Sequence, residues 1–361
     1  AHTLERISTE GISAFYAGEI AEAIARAARA EPDGGRLTVD DIARYSVLER
    51  PVICGPYRAY RLCTTSPPSS GAAQIMIASL YDHLVGGAES RPDRIAAFVD
   101  AQRLAYADRD HYFGDPNSVD IPLEELLDPR YLEHRAGERF EPDAVPEHGD
   151  PALVLGRAPI AGLLGSDTTV EAAGTTHLSI IDSEGNAVSM TATIESYFGS
   201  SRWAAGFLLN NQMTDFARTP ATDGRPVANA IVPGNRPRSS MSPTILFDED
   251  GELLIVTGSP GGNSIPAYVA KSIIGVLDWD MAAQEAVDYP NIVARGEQVR
   301  VEIADPAGRR IAADLRERGY SVEEREGENS GLHVIVVRPG GLEGAADKRR
   351  EGIVRTLPPG Q

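Results

Sequence analysis

The chain has 361 residues, and 34 Lys and Arg against 53 Asp and Glu give it a formal net charge of -19. This balance excludes a nucleic-acid or anionic-membrane partner, because such surfaces require clustered basic side chains. The 42% hydrophobic content is sufficient for a packed core. No run approaches the roughly 20 apolar residues that cross a bilayer, and the first residues lack a signal-peptide pattern.

The first ~135 residues are predicted to be mainly helical. Ile20 and Ile24 lie one helical turn apart, and Thr38 with Asp41 has the spacing of a capping box. Pro92 stands at a permitted first-turn position. The helix that it opens carries one apolar face, formed by Ile95, Phe98, Val99 and Tyr106. These patterns indicate packing helices rather than chemistry.

The only two cysteines are Cys54 and Cys63, at the ends of a probable hairpin, "VICGPYRAYRLC". They either pair or remain two small buried residues, and we favour the unpaired state. The redox compartment therefore stays open.

The middle of the chain changes character twice. Residues 139–174 are rich in Pro, Gly and Ala with little periodicity, which predicts a long surface segment. Strand pairs follow, "THLSIID" with "AVSMTATI" and "SPTILFD" with "LLIVTGS", each joined by a turn. Helices return at "IPAYVAKSIIGVLDW" and "PAGRRIAADLRERG", before a last hairpin. This order predicts a layered α+β fold rather than alternating βαβ units.

The triplet Thr175, Thr176, His177 stands directly before an alternating apolar run. A threonine hydroxyl needs an adjacent base to act as a nucleophile, and the amine of the same residue serves once that residue becomes a chain terminus. Cleavage before Thr175 would provide that amine. The alternative is that these are ordinary strand residues.

Three further motifs carry polar groups. In "GSPGGN", the N–H groups of Gly261 and Gly262 can point at an anion, and the missing Lys excludes a Walker loop. In "RPRSSMSPT" and "LLNNQMTDF", paired hydroxyls can bind a carboxylate, while an amide and a carboxylate can accept from an ammonium. The residues concerned are Ser239, Ser240, Gln212 and Asp215. Each motif has an alternative as turn or cap chemistry.

Five motifs in order resemble the small subunit of the γ-glutamyltransferase (γ-glutamyltranspeptidase) family: "GTTHLSIIDSEGNAVS", "YFGS", "GFLLNNQMTDF", "NRPRSSMSPT" and "TGSPGG". "GGRLTVDDIARY", "SPPSSG" and "YADRDHYFGDP" resemble the later part of that family's large subunit. The resemblance divides the chain into a large-subunit-like segment, 1–174, which ends in a flexible stretch, and a catalytic small-subunit-like segment, 175–361. It implies a four-layer αββα sandwich of the N-terminal nucleophile hydrolase type, possibly incomplete, because family large subunits begin well before "AHTLERISTEG".

The resemblance also implies residue roles. A precursor would cleave itself between Gly174 and Thr175, leaving Thr175 as nucleophile with its own amine as base and Thr193 assisting. The remaining implied roles are α-amino binding by Gln212 and Asp215, α-carboxylate binding by Ser239 and Ser240, and an oxyanion hole from Gly261 and Gly262.

The implied reaction is cleavage of glutathione or another γ-glutamyl compound through a γ-glutamyl ester, with transfer to water or to an amino acid or peptide. It needs no metal or organic cofactor, and large and small subunits would come from one precursor. Bacterial members are often exported, so a periplasmic or secreted location is suspected.

Three departures qualify this expectation. Glu195 stands where many members have Asn, which adds negative charge at the substrate site. The segment from Ala217 to Asn229 is shorter than the lid of some members and has no Tyr. The resemblance implies that the arginine that pairs with the substrate α-carboxylate comes from the earlier region of the large subunit, and no arginine of this chain can be assigned to that role. This leaves open a fragment of a longer precursor, a separate chain that supplies the missing part, or lost activity.

The competing hypotheses are a related acylase or amidohydrolase, such as a glutaryl-β-lactam acylase, and a non-catalytic, unprocessed homologue.

Overall fold

The computed structural model describes residues 1–88, 90–138 and 140–356. Residue 139, the first of the predicted long segment, and residues 357–361, the last of the small-subunit-like segment, lie outside the described residues. The described α-helices are α1 (His2–Glu10), α2 (Ser13–Tyr16), α3 (Gly18–Arg29), α4 (Val39–Ala43), α5 (Gly71–Val85), α6 (Arg91–Tyr112), α7 (Leu123–Leu126), α8 (Pro129–Gly137), α9 (Pro151–Val154), α10 (Ile265–Leu277), α11 (Ala283–Asp288) and α12 (Pro306–Glu317).

The described strands are β1 (Val52–Tyr57), β2 (Tyr60–Thr65), β3 (Thr175–Ile181), β4 (Ala187–Thr193), β5 (Trp203–Ala204), β6 (Phe207–Leu208), β7 (Ala221–Thr222), β8 (Arg225–Pro226), β9 (Thr244–Phe247), β10 (Leu253–Gly258), β11 (Ile292–Ala294), β12 (Val299–Glu302), β13 (Val322–Arg325), β14 (His333–Arg338) and β15 (Gly341–Ala346). Short 3₁₀ turns lie at Ala161–Leu163, Gln212–Asp215, Gly262–Ser264 and Lys348–Arg350.

The central element is a six-stranded sheet in the order β1-β2-β9-β10-β14-β15. All its neighbours are antiparallel. The edge hairpin β1–β2 comes from the large-subunit-like segment and the other four strands from the small-subunit-like one. Both segments therefore build one sheet.

The two faces of this sheet are covered differently. α5, α6 and α10 form the main hydrophobic core, to which Ile255 of β10 contributes. The β3–β4 hairpin packs against β10 and β14. Gly258 of β10 faces His177 of this hairpin, and because side chains alternate along a strand, the hairpin lies on the face opposite to the helices.

The layers therefore follow the order helices, sheet, second sheet, as the predicted αββα sandwich requires. Apolar side chains on the outer face of the β3–β4 hairpin are exposed: Leu178, Ile180, Val188 and Met190. The described residues thus leave the second sheet open on its outer side, which agrees with the expectation of an incomplete set of layers.

Local signals in the sequence are confirmed where they depend on neighbouring residues. Thr38 and Asp41 form both hydrogen bonds of a capping box at the start of α4. Ile20 and Ile24 are buried on α3. On α6, Pro92 lies in the first turn and the predicted apolar face is buried. No helix in the described parts of the chain is long and apolar enough to cross a membrane.

The preference for two unpaired, buried cysteines is wrong. Cys54 and Cys63 lie directly opposite each other in the β1–β2 register and form a disulfide. Cys54 is exposed at the edge of the sheet, whereas Cys63 is buried. The disulfide follows from the hairpin register. The sequence predicted the hairpin but did not show that the two cysteines lie opposite each other in it.

Candidate active site

Two threonines face each other at the open end of the β3–β4 hairpin. β3 begins at Thr175, β4 ends at Thr193, and the antiparallel register pairs these two residues. The Thr175 hydroxyl donates to Thr193 Oγ1 at 3.1 Å. Thr193 Oγ1 in turn accepts from the backbone N–H of Glu195 at 2.8 Å. The hydroxyl of Thr175 is therefore positioned by the strand end and by a second hydroxyl.

The β3–β4 hairpin can pack closely against the six-stranded sheet for two reasons: its inner face is polar, and β10 has a glycine where the hairpin approaches. A Cβ on Gly258 would lie 2.2 Å from the His177 ring, so a side chain there would displace the hairpin. Ser189 Oγ donates to the carbonyl of Thr257 at 2.8 Å. Burial, together with the neighbouring His333, lowers the pKa of His177 to about 3. His177 is thus neutral at pH 7 and supports the strand.

Most of the predicted site residues line one cavity beside Thr175. Its volume is only about 10 Å³, roughly the room for one water molecule. The lining residues are Glu171, Ala172, Thr175, Thr193, Glu195, Gln212, Asp215, Ser239, Ser240, Met241, Gly262 and Ile265. The structure therefore brings together every predicted site residue except Gly261, and it adds two residues from the chain just before Thr175.

The loop after β10 requires glycine at two successive positions. Gly261 and Gly262 have positive φ angles of 143° and 56°, which other residues rarely adopt. A Cβ on Gly261 would lie 2.5 Å from the Tyr268 ring, and one on Gly262 would lie 2.4 Å from the carbonyl oxygen of Glu171. Within the described residues, neither backbone N–H donates a hydrogen bond. Both remain available to an oxyanion.

One end of the cavity is acidic; we call Glu195, Gln212 and Asp215 the acidic end. Gln212 donates its side-chain amide to Asp215 Oδ2. The other oxygen, Oδ1, is buried and has no hydrogen-bond partner among the described residues. Burial, with the charges of Glu171 and Glu195, raises the pKa of Asp215 to about 8. A buried acceptor without a donor is costly, and an ammonium group would satisfy it.

Ser239 and Ser240 also line the cavity, and a fully buried arginine, Arg109, lies behind Ser240; we call these three the serine end. Arg109 Nη2 donates to Ser240 Oγ at 2.6 Å, and its Nε donates to Ser70 Oγ at 2.8 Å. Arg109 comes from α6, within "YADRDHYFGDP". Sequence analysis did not single out Arg109, because it meets Ser240 only through the fold.

The chain is continuous through Gly174 and Thr175, and several groups hold it on both sides of this bond. The Gly174 N–H donates to the carbonyl of Glu195 at 2.8 Å. Arg350 donates to the carbonyls of Ala173 and Thr175, the latter at 2.9 Å. A Cβ on Gly174 would lie 2.3 Å from the Glu195 carbonyl, so the chain can pass here only as glycine. Arg350 is a second residue that sequence analysis missed.

Much of the segment before Thr175 lies at the surface, as the sequence predicted, and Leu163 and Val170 are exposed. Two of its carboxylates are exceptions. Asp167 and Glu171 are buried, and Asp167 accepts from Arg238 Nη2 at 3.1 Å. Their burial could not be predicted, because low periodicity and many Pro, Gly and Ala residues indicate irregular backbone and say nothing of individual buried residues. The end of this segment is partly buried and lines the cavity; we call residues 165–174 the strap.

The segment from Ala217 to Asn229, compared above with a lid, packs on this strap. It contains the short hairpin β7–β8. The Gly165 N–H donates to the Pro226 carbonyl at 2.9 Å, and Asn229 Nδ2 donates to Asp167 Oδ2 at 3.0 Å. The two segments therefore hold each other in place.

Comparison with known proteins identifies the family to which this arrangement belongs. A family model described as Gamma-glutamyltranspeptidase matches residues 1–357. The chain belongs to the γ-glutamyltranspeptidase family. It is 34% identical over 365 residues to the glutathione hydrolase proenzyme of Escherichia coli (strain K12), covering 97% of this chain and 59% of that protein.

Other relatives of this γ-glutamyltranspeptidase family member are named acylases. The Acylase ACY 1 proenzyme of Pseudomonas sp. (strain V22) is 31% identical over 358 residues, covering 98% of this chain and 60% of that protein. The crystal structure of cephalosporin acylase from Bacillus halodurans matches with a TM-score of 0.83 at 25% identity, covering 99% of this chain and 62% of that one. The α+β fold of the N-terminal nucleophile hydrolase type is thereby confirmed.

The chain spans about three fifths of the length of the relatives that it matches.

Proposed function

We propose that the chain carries the catalytic site of a γ-glutamyltransferase or glutathione hydrolase, with Thr175 as its nucleophile. The observation that carries this proposal is the geometry around the Thr175 hydroxyl. On one side lies Asp215, with a buried oxygen that lacks a donor. Ser239 and Ser240, which line the same cavity, can receive a carboxylate. An α-amino acid head group has the two charges that these ends require.

The nucleophile would be generated by cleavage within the chain. Thr175 Oγ attacks the carbonyl carbon of Gly174, the C–N bond breaks as the C–O ester forms, and the proton from the hydroxyl passes to the released amine. Water then hydrolyses the ester, leaving a Gly174 carboxylate and the free amine of Thr175. The contact with Thr193 at 3.1 Å supports this step, because it orients the hydroxyl at the end of the strand. Two subunits would result from one precursor.

After cleavage, the Thr175 hydroxyl would attack the substrate in the same way as it attacked the Gly174 carbonyl. The Thr175 hydroxyl attacks the γ-amide carbonyl carbon, with its own amine as general base. The N–H groups of Gly261 and Gly262 would stabilise the oxyanion, where one donor contributes roughly 3 kcal/mol. The amine leaves with a proton, and a γ-glutamyl ester remains on Thr175. Water, or the amine of an amino acid or peptide, releases the acyl group from the ester.

The substrate would be oriented by the two ends of the cavity. Gln212, Asp215 and Glu195 accept from the α-ammonium, and Ser239 and Ser240 receive the α-carboxylate. Charge-assisted bonds at both ends would fix the γ-carbonyl above Thr175. Glutathione and other γ-glutamyl amides have the required spacing.

A related acylase activity is the second candidate, and one observation favours it. The cephalosporin acylase from Bacillus halodurans shares this fold across 99% of the chain, and Glu195 places a carboxylate where many family members have a neutral side chain. A glutaryl amide lacks the α-ammonium, so it would leave Asp215 without its counter-charge.

The test is amine release from γ-glutamyl anilide and glutaryl anilide by the full protein. We expect γ-glutamyl anilide to be preferred, and Thr175→Ala to lower turnover at least about 1,000-fold. Thr176→Ala is the matched control, because Thr176 is the exposed neighbour on the same strand. Turnover that survives Thr175→Ala would contradict the proposal, and preference for the glutaryl amide would support the acylase instead.

A further inference from the structure

The acidic end of the cavity holds two carboxyl groups in contact. Asp215 is 3% exposed and Glu195 is 4% exposed. Their carboxyl groups lie close enough to share a hydrogen bond, which they can form only if one of them carries a proton. Asp215 Oδ1 accepts from no donor in the described part of the chain. Two buried carboxylates in contact repel each other, and this favours a proton on one of them.

The hydrogen bonds that these carboxyl groups accept come from neutral donors. Glu195 Oε1 accepts from the Ala172 N–H at 2.7 Å. Its Oε2 accepts from Ser196 Oγ at 2.7 Å and from the side-chain amide of Asn211. Asp215 Oδ2 accepts from the side-chain amide three residues before it. Neutral donors orient both groups but supply no positive charge, so they do not balance two negative charges inside the protein.

Charged groups on the neighbouring elements do not supply the missing cation. Burial raises the pKa of Asp215, and the charges of Glu171 on the strap and of Glu195 raise it further. The charge of Arg109 on α6 lowers it, but this guanidinium is itself paired with Glu171. After the proposed cleavage, the amine of Thr175 would add one ionisable group to the cavity.

Glu195 takes an unfavourable backbone conformation to place its carboxyl group here. Its φ angle is 75°, in the left-handed region that Gly, Asn and Asp adopt more readily than Glu. A strained residue that lines a cavity indicates a functional demand on its side chain. Asn would fit this φ better and could still accept from an ammonium. What Glu195 adds is therefore a second ionisable group beside Asp215.

We infer that Glu195 and Asp215 form a carboxyl pair that holds one proton in the free site and releases it to solvent when an ammonium group binds. This inference rests on the proposed function, because it takes the ligand to carry an α-ammonium. One positive charge replaces another, so the filled site has the same net charge as the empty one. Affinity for an α-amino acid therefore rises about tenfold per pH unit until the pair has lost its proton.

The test measures proton release when L-glutamate, a product of the proposed hydrolysis, binds to the processed full protein. Calorimetry at pH 7 in phosphate and in Tris, whose heats of ionisation differ, gives the number of protons released. We expect about one proton per L-glutamate from the wild-type protein. Glu195→Asn should release less than about half a proton, because Asp215 without its partner ionises at lower pH. Equal release from the two proteins would overturn the carboxyl pair.

Three controls assign the released proton to the carboxyl pair. Glutarate has both carboxylates of L-glutamate but no ammonium, so it corrects for proton exchange at the Thr175 amine. Equal release by glutarate and L-glutamate would overturn the inference. Glu249→Asn, the same change at an exposed position, should release as many protons as the wild-type protein. Glu195→Gln keeps the side-chain length and should match Glu195→Asn, which keeps the test decisive if the latter does not fold.

Infrared spectroscopy tests the carboxyl pair without a ligand, and so separates its failure from failure of the proposed function. The C=O stretch of a protonated carboxyl should be present in the wild-type protein at pH 7. In Glu195→Asn it should be lost at a pH at least about one unit lower than in the wild-type protein. If so and L-glutamate does not bind, the pair stands and the proposed function fails. If γ-glutamyl anilide is turned over but both proteins lose the band at the same pH, the function stands and the pair is overturned.

Discussion

Beside Ser240, the carboxylate of Glu171 is held by the buried guanidinium of Arg109, whereas Asp215 has one oxygen without a hydrogen-bond partner among the described residues. Arg109 pairs with Glu171 at 2.5 Å. Burial and the surrounding carboxylates raise the pKa of Asp215 to about 8. The uncut chain thus satisfies one end from within and leaves the other for an outside group.

This difference indicates what a ligand must bring. An α-amino acid head group would supply both the carboxylate and the missing cation. The comparison therefore favours a ligand with an α-amino acid moiety over a simple dicarboxylic acid.

The largest expected effect is at the acidic end. Asp215→Asn removes the carboxyl group that would ionise and pair with a substrate ammonium, so we expect kcat/KM on γ-glutamyl anilide to fall about 100-fold. Activity on glutaryl anilide should change less than about threefold, since that substrate has no ammonium. Asp223→Asn, the same change at an exposed position, should alter neither. Equal losses on both substrates would show that Asp215 acts only through packing.

A smaller effect is expected from Arg350, which holds the strap near the serine end in place. It donates to the carbonyls of Ala173 and Thr175, on both sides of the proposed cleavage bond. Arg350→Ala should slow the appearance of cut chains roughly tenfold, because misplacement of reacting atoms by about 1 Å costs rate. Electrophoresis over time measures this, with the exposed Arg355→Ala as control. An unchanged rate would remove Arg350 from the cleavage geometry.

The last prediction concerns stability rather than rate. The pKa of Asp215 rises from 3.8 to about 8 on folding. Between these pH values the Asp215 carboxyl is ionised in the unfolded chain and protonated in the folded chain. The free energy of unfolding of uncut Thr175→Ala should therefore fall as pH rises from about 4 to about 8, by at most about 1.4 kcal/mol per pH unit. Asp215→Asn in that background should flatten this slope in urea titrations; an unchanged slope would show that other groups cause it.

Much of the fold could be predicted because its signals are local. The capping box of Thr38 and Asp41, the apolar face of α6 and the β3–β4 pairing depend on residues near each other in sequence. The Thr175 and Thr193 contact also follows from a hairpin register. These features need only short-range periodicity and turn chemistry.

The features of the fold and the site that could not be predicted depend on contacts between residues far apart in the sequence. Arg109 meets Glu171 across 62 positions, and Arg350 meets Thr175 across 175. Neither arginine has a local pattern that distinguishes it from a packing or surface residue. Glu171 lies in a stretch without periodicity, where sequence gives no indication of burial. Such residues were found only when the fold placed them together.

Intact mass and N-terminal sequencing of the purified full protein test the central claim most directly. The account predicts two chains, the smaller beginning Thr-Thr-His-Leu-Ser at Thr175, and only one chain from Thr175→Ala. A wild-type protein that remains uncut yet releases amine from γ-glutamyl anilide, or one that is cut at another bond, would contradict Thr175 as an N-terminal nucleophile.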